Sequence, residues 1–166
     1  GRPELMLAPS EAAQLKSAHC FSTAKAIIVG PGLGQNDWAK QLFSLFLCLT
    51  KTTTVIDADA LILLAQQPSF NNNRVLTPHP KEAAKLLACH VNDIEADRFA
   101  AVQDIVTRYG GICVLKGSGS LISDGKQVFI NTTGNAGMAS GGMGDVLSGI
   151  IAALSLQLPN LFDAVK

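Results

Sequence analysis

A chain of 166 residues, 48% of them apolar and with a formal net charge of +0, is long enough to bury one sizeable core, which excludes an intrinsically disordered segment. There is no basic excess and no block of like charge, so neither nucleic acid nor an acidic surface is expected as a partner. Apolar runs such as FSLFLCL (43–49) are far too short to span a bilayer, and Cys20, Cys48, Cys89 and Cys113 show neither zinc-ligand nor disulfide-framework spacing; four reduced thiols in a cytoplasmic protein are expected.

AKAIIVG (24–30) predicts a buried strand ending in a glycine-proline turn, and helical sequence follows from about Asp37 to Leu49. TTTVID (52–57), rich in β-branched residues, predicts a second strand, and ADALILLAQQ a second helix. VLTPHP (75–80) predicts a short third strand, with Pro80 suited to the first turn of a helix over KEAAKLLA. One longer amphipathic helix is expected from Asp93 to Tyr109, then a fourth strand in GGICVLKG (110–117). LISDGKQVFI (121–130) reads as a hairpin around Asp124-Gly125, and GMASGGMGDVLSGIIAAL (137–154) as a glycine-rich loop opening a helix. Strands alternating with helices predict an α/β fold: three layers, a mostly parallel sheet flanked by helices, in a single domain over 1–166. The opening GRPELMLAPS and the closing LPNLFDAVK both read as interior domain sequence, so the domain is expected to be incomplete at both ends.

In such sheets ligands bind beyond the carboxyl ends of the strands, and the unusual residues fall there: GPGLG (30–34), DAD (57–59), TPHP (77–80) and KGSGS (116–120). The glycines of GPGLG lack the GxGxxG spacing of a dinucleotide fingerprint, which leaves a strand-to-helix turn or a close backbone approach to a ligand. Asp57 and Asp59 fit either a metal-phosphate contact or a helix cap, and His79 either a ligand contact or a hydrogen-bonded structural role. KGSGS alone reads best as a hairpin or crossover loop. GGMGD is more specific, because consecutive backbone N–H groups at a helix N-terminus form an anion hole suited to phosphate, although GxxxxGK[ST] is absent. Phosphate would repel Asp145 unless the carboxylate faced the attacking hydroxyl, where it orients the nucleophile or takes its proton.

Taken in order, GPGLG, VIDADAL, LTPHPKEAAKLL, VLKGSGSLISDG and NTTGNAGMASGGMGDVLSGIIAAL closely resemble the ADP- or ATP-dependent NAD(P)H-hydrate dehydratases, of ribokinase-like fold, over about 3–156. The resemblance implies that Lys116, Gly117, Ser118, Gly119, Ser120 and Gly144 bind the adenine nucleotide, that Gly34, His79 and Asp145 contact the hydrated nicotinamide nucleotide, NADHX or NADPHX, and that Asp145 is the catalytic residue. It implies ADP or ATP as phosphoryl donor with Mg²⁺, no dedicated protein metal site, a homo-oligomer, and fusion to or partnership with an NAD(P)H-hydrate epimerase. The chemistry implied is repair: the C6 hydroxyl of the hydrated ring is phosphorylated and phosphate is expelled. Lys81 departs from the glycine usual after the His-Pro, and the family's opening strands and closing helical segment are missing. Two alternatives remain open at this point: another ribokinase-like kinase, acting on a thiazole or pyrimidine alcohol, or an inactive nucleotide-binding remnant.

Overall fold

The computed structural model describes residues 23–166. Cys20 and the GRPELMLAPS opening lie outside them. Four short strands in succession, β1 (Ala26–Val29), β2 (Thr53–Ile56), β3 (Arg74–Leu76) and β4 (Ile112–Leu115), pair in parallel in that order. The hairpin of β5 (Ser120–Ser123) and β6 (Val128–Asn131) then extends the sheet in antiparallel fashion. Because all four parallel strands point the same way, their four following loops emerge along one edge, as the sequence predicts.

Helices cover both faces. Residues on alternate sides of each strand separate two cores, as the two-residue period of a strand requires. Ile56, Leu76, Cys113, Leu115 and Leu121 pack against α1 (Asp37–Leu47), α2 (Asp59–Gln66), α3 (Pro80–Leu87), α4 (Val91–Ala96) and α5 (Arg98–Tyr109), through Phe43, Leu61, Leu64, Leu86, Ile94 and Ile105 among others. Their neighbours Val55, Val75, Ile112, Val114 and Ile122 face Ile151 and Ala152 of α6 (Met143–Ser155) and Phe162 and Val165 of α7 (Leu161–Val165). The result is the expected three-layer α/β sandwich.

The predicted single helix from Asp93 to Tyr109 is two helices, α4 and α5, broken at Asp97. Asp97 has φ −145° and ψ 83°, outside helical geometry, and its carboxylate accepts the Ala100 N–H at 2.9 Å. The apolar period continued through the break, but an aspartate two residues before a run of apolar positions is a better cap than a helix interior residue. Cys48, Cys89 and Cys113 are unbridged.

Candidate active site

Each strand end delivers one component to the common edge. Gly30 closes β1 at φ +130°, and a Cβ there would stand 1.7 Å from the Asp57 carbonyl oxygen. Only glycine lets the β1 loop cross so close to the end of β2. The close approach that the GPGLG glycines suggested is, at Gly30, an approach to the neighbouring strand. Further along, the Gly34 N–H donates to Asp59 Oδ2 at 2.8 Å, so Asp59 fixes the β1 loop from the first turn of α2.

Between the two aspartates, Ala58 has φ +49°, a conformation that costs a non-glycine residue strain. The kink sends the carboxylates apart. Asp59 goes to the glycine loop, whereas Asp57, 2% exposed, turns into the protein and meets Lys116 Nζ at 2.9 Å and the Ser148 hydroxyl at 3.1 Å. Lys116 follows β4, two strands or about 10 Å from β2, so its long side chain reaches across the end of β3. Burial alone would raise the Asp57 carboxyl; the hydrogen bond and charge of Lys116, helped by hydrogen bonds from Thr77 and the Ala58 backbone, outweigh it and hold the group below the usual carboxylate range. Asp57 therefore favours its carboxylate form. Glu82 Oε2 stands 4.0 Å from the same ammonium.

His79 is the N-cap of α3. Its Nδ1 accepts the N–H groups of Lys81 (3.1 Å) and Glu82 (3.3 Å), while Glu82 Oε2 accepts the His79 N–H at 2.8 Å. Pro80, at the first helical position, has no N–H to satisfy. The imidazole thus has a structural role through Nδ1, and its side chain remains 47% exposed with Nε2 beside Glu82 Oε1 at 3.4 Å.

At the end of the chain of motifs, Gly142 caps α6 with φ +85°, which turns the loop directly into the helix. Met143 N–H bonds to Ser140 and Val146 N–H to Gly142, while the N–H groups of Gly144 and Asp145 have no acceptor among the described residues. Two free amides at the positive end of a helix dipole attract an anion. A Cβ on Gly144 would lie 3.4 Å from Lys116 Nζ and 3.5 Å from Asp57 Oδ2, which places the buried ion pair directly behind this helix start.

A cleft of about 820 Å³ opens in front of it, lined by Lys116 to Ser120, by the 131–135 loop, by Gly144 and by apolar side chains including Met138, Val146 and Ile150. All six residues expected to hold the nucleotide line this one cleft. Gly34, His79 and Asp145 do not. Asp145 is exposed in the first turn of α6, and its carboxylate makes no hydrogen bond or ion pair among the described residues. Sequence reasoning left the partner of Asp57 open and did not single out Ser148, Glu82 or Arg98. No local pattern marks Ser148, which is buried on the face of α6 that meets Asp57.

A mostly parallel sheet with helices on both faces, its strand-end loops meeting a glycine-capped helix start, defines a ribokinase-like α/β domain. The sequence matches the NAD(P)H-hydrate dehydratase family over residues 2–165, and the chain belongs to that family. It is 52% identical, over 85% of its length and 28% of the relative's, to the bifunctional NAD(P)H-hydrate repair enzyme Nnr of Vibrio cholerae. It is 38% identical to the ADP-dependent (S)-NAD(P)H-hydrate dehydratase of Neisseria meningitidis, over 99% of this chain and 56% of that one. The ADP/ATP-dependent NAD(P)H-hydrate dehydratase of Bacillus subtilis, co-crystallised with ATP and Mg²⁺ and soaked with CoA, superposes with a TM-score of 0.79 at 29% identity, over 93% of this chain and 57% of that one. The chain thus spans under two thirds of each.

Proposed function

We propose that the protein to which this chain belongs dehydrates hydrated NADH or NADPH at the expense of ADP or ATP, regenerating the reduced cofactor. The observation that carries the reading is the different placing of two consecutive residues. Gly144 lines the cleft with the KGSGS loop, and Asp145, next to it, stands outside the cleft with an unpartnered carboxylate.

In this reading the nucleotide lies in the cleft along residues 116–120, with its phosphates against the free N–H groups of Gly144 and Asp145. Lys116, held by Asp57, adds positive charge behind them. Asp145 faces the acceptor and orients the C6 hydroxyl or takes its proton as the terminal phosphoryl group arrives. Gly34 and His79, at the ends of β1 and β3, hold the hydrated nicotinamide nucleotide. Phosphorylation turns a poor leaving group into a good one, and the ring-nitrogen lone pair then expels phosphate. Mg²⁺ would enter with the phosphates, the habit of this cation, and neutralise their charge.

The names of the bifunctional relatives support fusion of this domain to a second repair activity, which we assign to epimerisation of the hydrate. The test is to supply the whole protein with NADHX or NADPHX, nucleotide and Mg²⁺. Growth of reduced-nicotinamide absorbance that requires the nucleotide supports the reading. Inertness toward both hydrates, with phosphorylation of a thiazole or pyrimidine alcohol, refutes it.

A further inference from the structure

Arg98 is the first residue of α5, where the helix dipole disfavours a cation and an acidic residue would be expected. It has no acidic partner within salt-bridge distance among the described residues, and its Nε is buried without an acceptor. Its guanidinium instead grips the hairpin loop between β4 and β5. Nη1 donates to the Ser118 carbonyl at 2.8 Å and Nη2 to the Leu115 carbonyl at 3.3 Å. The fork thus spans the loop, with Gly117 between its two anchor points. A Cβ on Gly117 would fall 2.9 Å from Nη2, so the missing side chain at 117 is what lets the arginine seat there.

The consequence follows from peptide geometry. In a trans peptide the C=O and the following N–H point in opposite directions. There are no cis peptides among the described residues, so a Ser118 carbonyl turned toward Arg98 turns the Gly119 N–H away from it. Gly119 lines the cleft and Arg98 does not. The Gly119 N–H has no acceptor among the described residues. We propose that Arg98 is a positioning residue that, by holding the Ser118 carbonyl from behind, presents the Gly119 N–H to an acceptor atom of the bound nucleotide. The inference rests on the placing of the nucleotide in this cleft. It assigns to Arg98 no contact with the ligand. A lysine at 98 keeps the charge but loses the planar two-pronged grip, so it cannot replace the arginine.

The test is ADP binding by calorimetry to the whole protein, wild type, Arg98→Lys and Arg98→Met, with folding checked by circular dichroism and the Gly119 amide followed by NMR. Both variants are expected to bind ADP about tenfold or more weakly, the scale of one lost charge-assisted hydrogen bond. ADP should shift the Gly119 amide strongly in the wild type and weakly in the variants. If the methionine variant does not fold, the lysine variant carries the test. Wild-type affinity in either variant overturns the inference, since it would mean that the grip is dispensable or that charge alone suffices. A loss that only tracks the unfolded fraction overturns it as well. Failure of the wild type to bind ADP or ATP refutes the nucleotide site itself, and the inference with it.

Discussion

Lys116 Nζ and Asp57 Oδ1 stand 2.9 Å apart across the end of β3, and their ion pair backs the N-terminal turn of α6. Breaking a largely buried pair strands the remaining charge. Lys116→Met is therefore expected to cost about 3 kcal/mol in urea unfolding at neutral pH. Asp57→Asn should cost somewhat less, because a neutral amide is left beside a lysine that can reach solvent.

The same pair fixes an acid dependence. The carboxyl of Asp57 is held below its ordinary value in the folded state, so the unfolded chain takes up its proton first as the pH falls. This contribution to stability is fully present above the ordinary carboxylate range and is lost as the pH falls through the lowered folded value. Unfolding curves at pH 7 and pH 3 should show a smaller acid loss for Asp57→Asn than for the wild type. Equal losses would show that Asp57 does not contribute to the acid response.

Asp145 is exposed and unpaired, so Asp145→Asn should leave thermal stability and ADP affinity near wild type. Turnover of the hydrate should fall by at least roughly a hundredfold, the scale for removing a positioned acid-base group. Steady-state kinetics beside ADP calorimetry separates the two effects, and a wild-type kcat would remove Asp145 from the mechanism.

The architecture was legible because it is written in period and punctuation. Val55 and Ile56 alternate between two cores, and each strand stops at a glycine, proline or aspartate turn. The helix break at Asp97 was not legible, because apolar spacing runs on through it and only local backbone geometry shows the cap. The KGSGS and GGMGD motifs pointed to loops that line one cleft, but not to what holds them. Asp57 and Lys116 lie 59 residues apart, and their pairing depends on how three strands lie side by side and on the strained Ala58, which no local pattern encodes. For His79 the sequence leaves a ligand contact and a structural role open; the structure shows a capping role, with Nδ1 accepting the Lys81 and Glu82 N–H groups.

Gly30 carries the steepest steric constraint at the site. Gly30→Ala would drive a Cβ into the Asp57 carbonyl, 1.7 Å away, at a φ of +130° that alanine rarely adopts. A loss of about 3 kcal/mol or more is expected in chemical denaturation. A near-neutral result would mean that the ends of β1 and β2 part easily.

His79→Ala should lose about 1 kcal/mol through the missing cap. It should also weaken hydrate binding while sparing ADP affinity, because His79 does not line the cleft proposed for the nucleotide. Calorimetry with each ligand in turn checks the split, and equal weakening of both would place the two ligands in one pocket.

The most direct measurement is the stoichiometry of the reaction, in which inorganic phosphate and reduced nicotinamide are followed together in the whole protein supplied with NADHX or NADPHX, ADP or ATP, and Mg²⁺. Equal amounts of phosphate and reduced cofactor, absent without nucleotide and suppressed together by Asp145→Asn, are the predicted result. Reduced cofactor formed without nucleotide, or a phosphorylated product that persists without releasing phosphate, would contradict it.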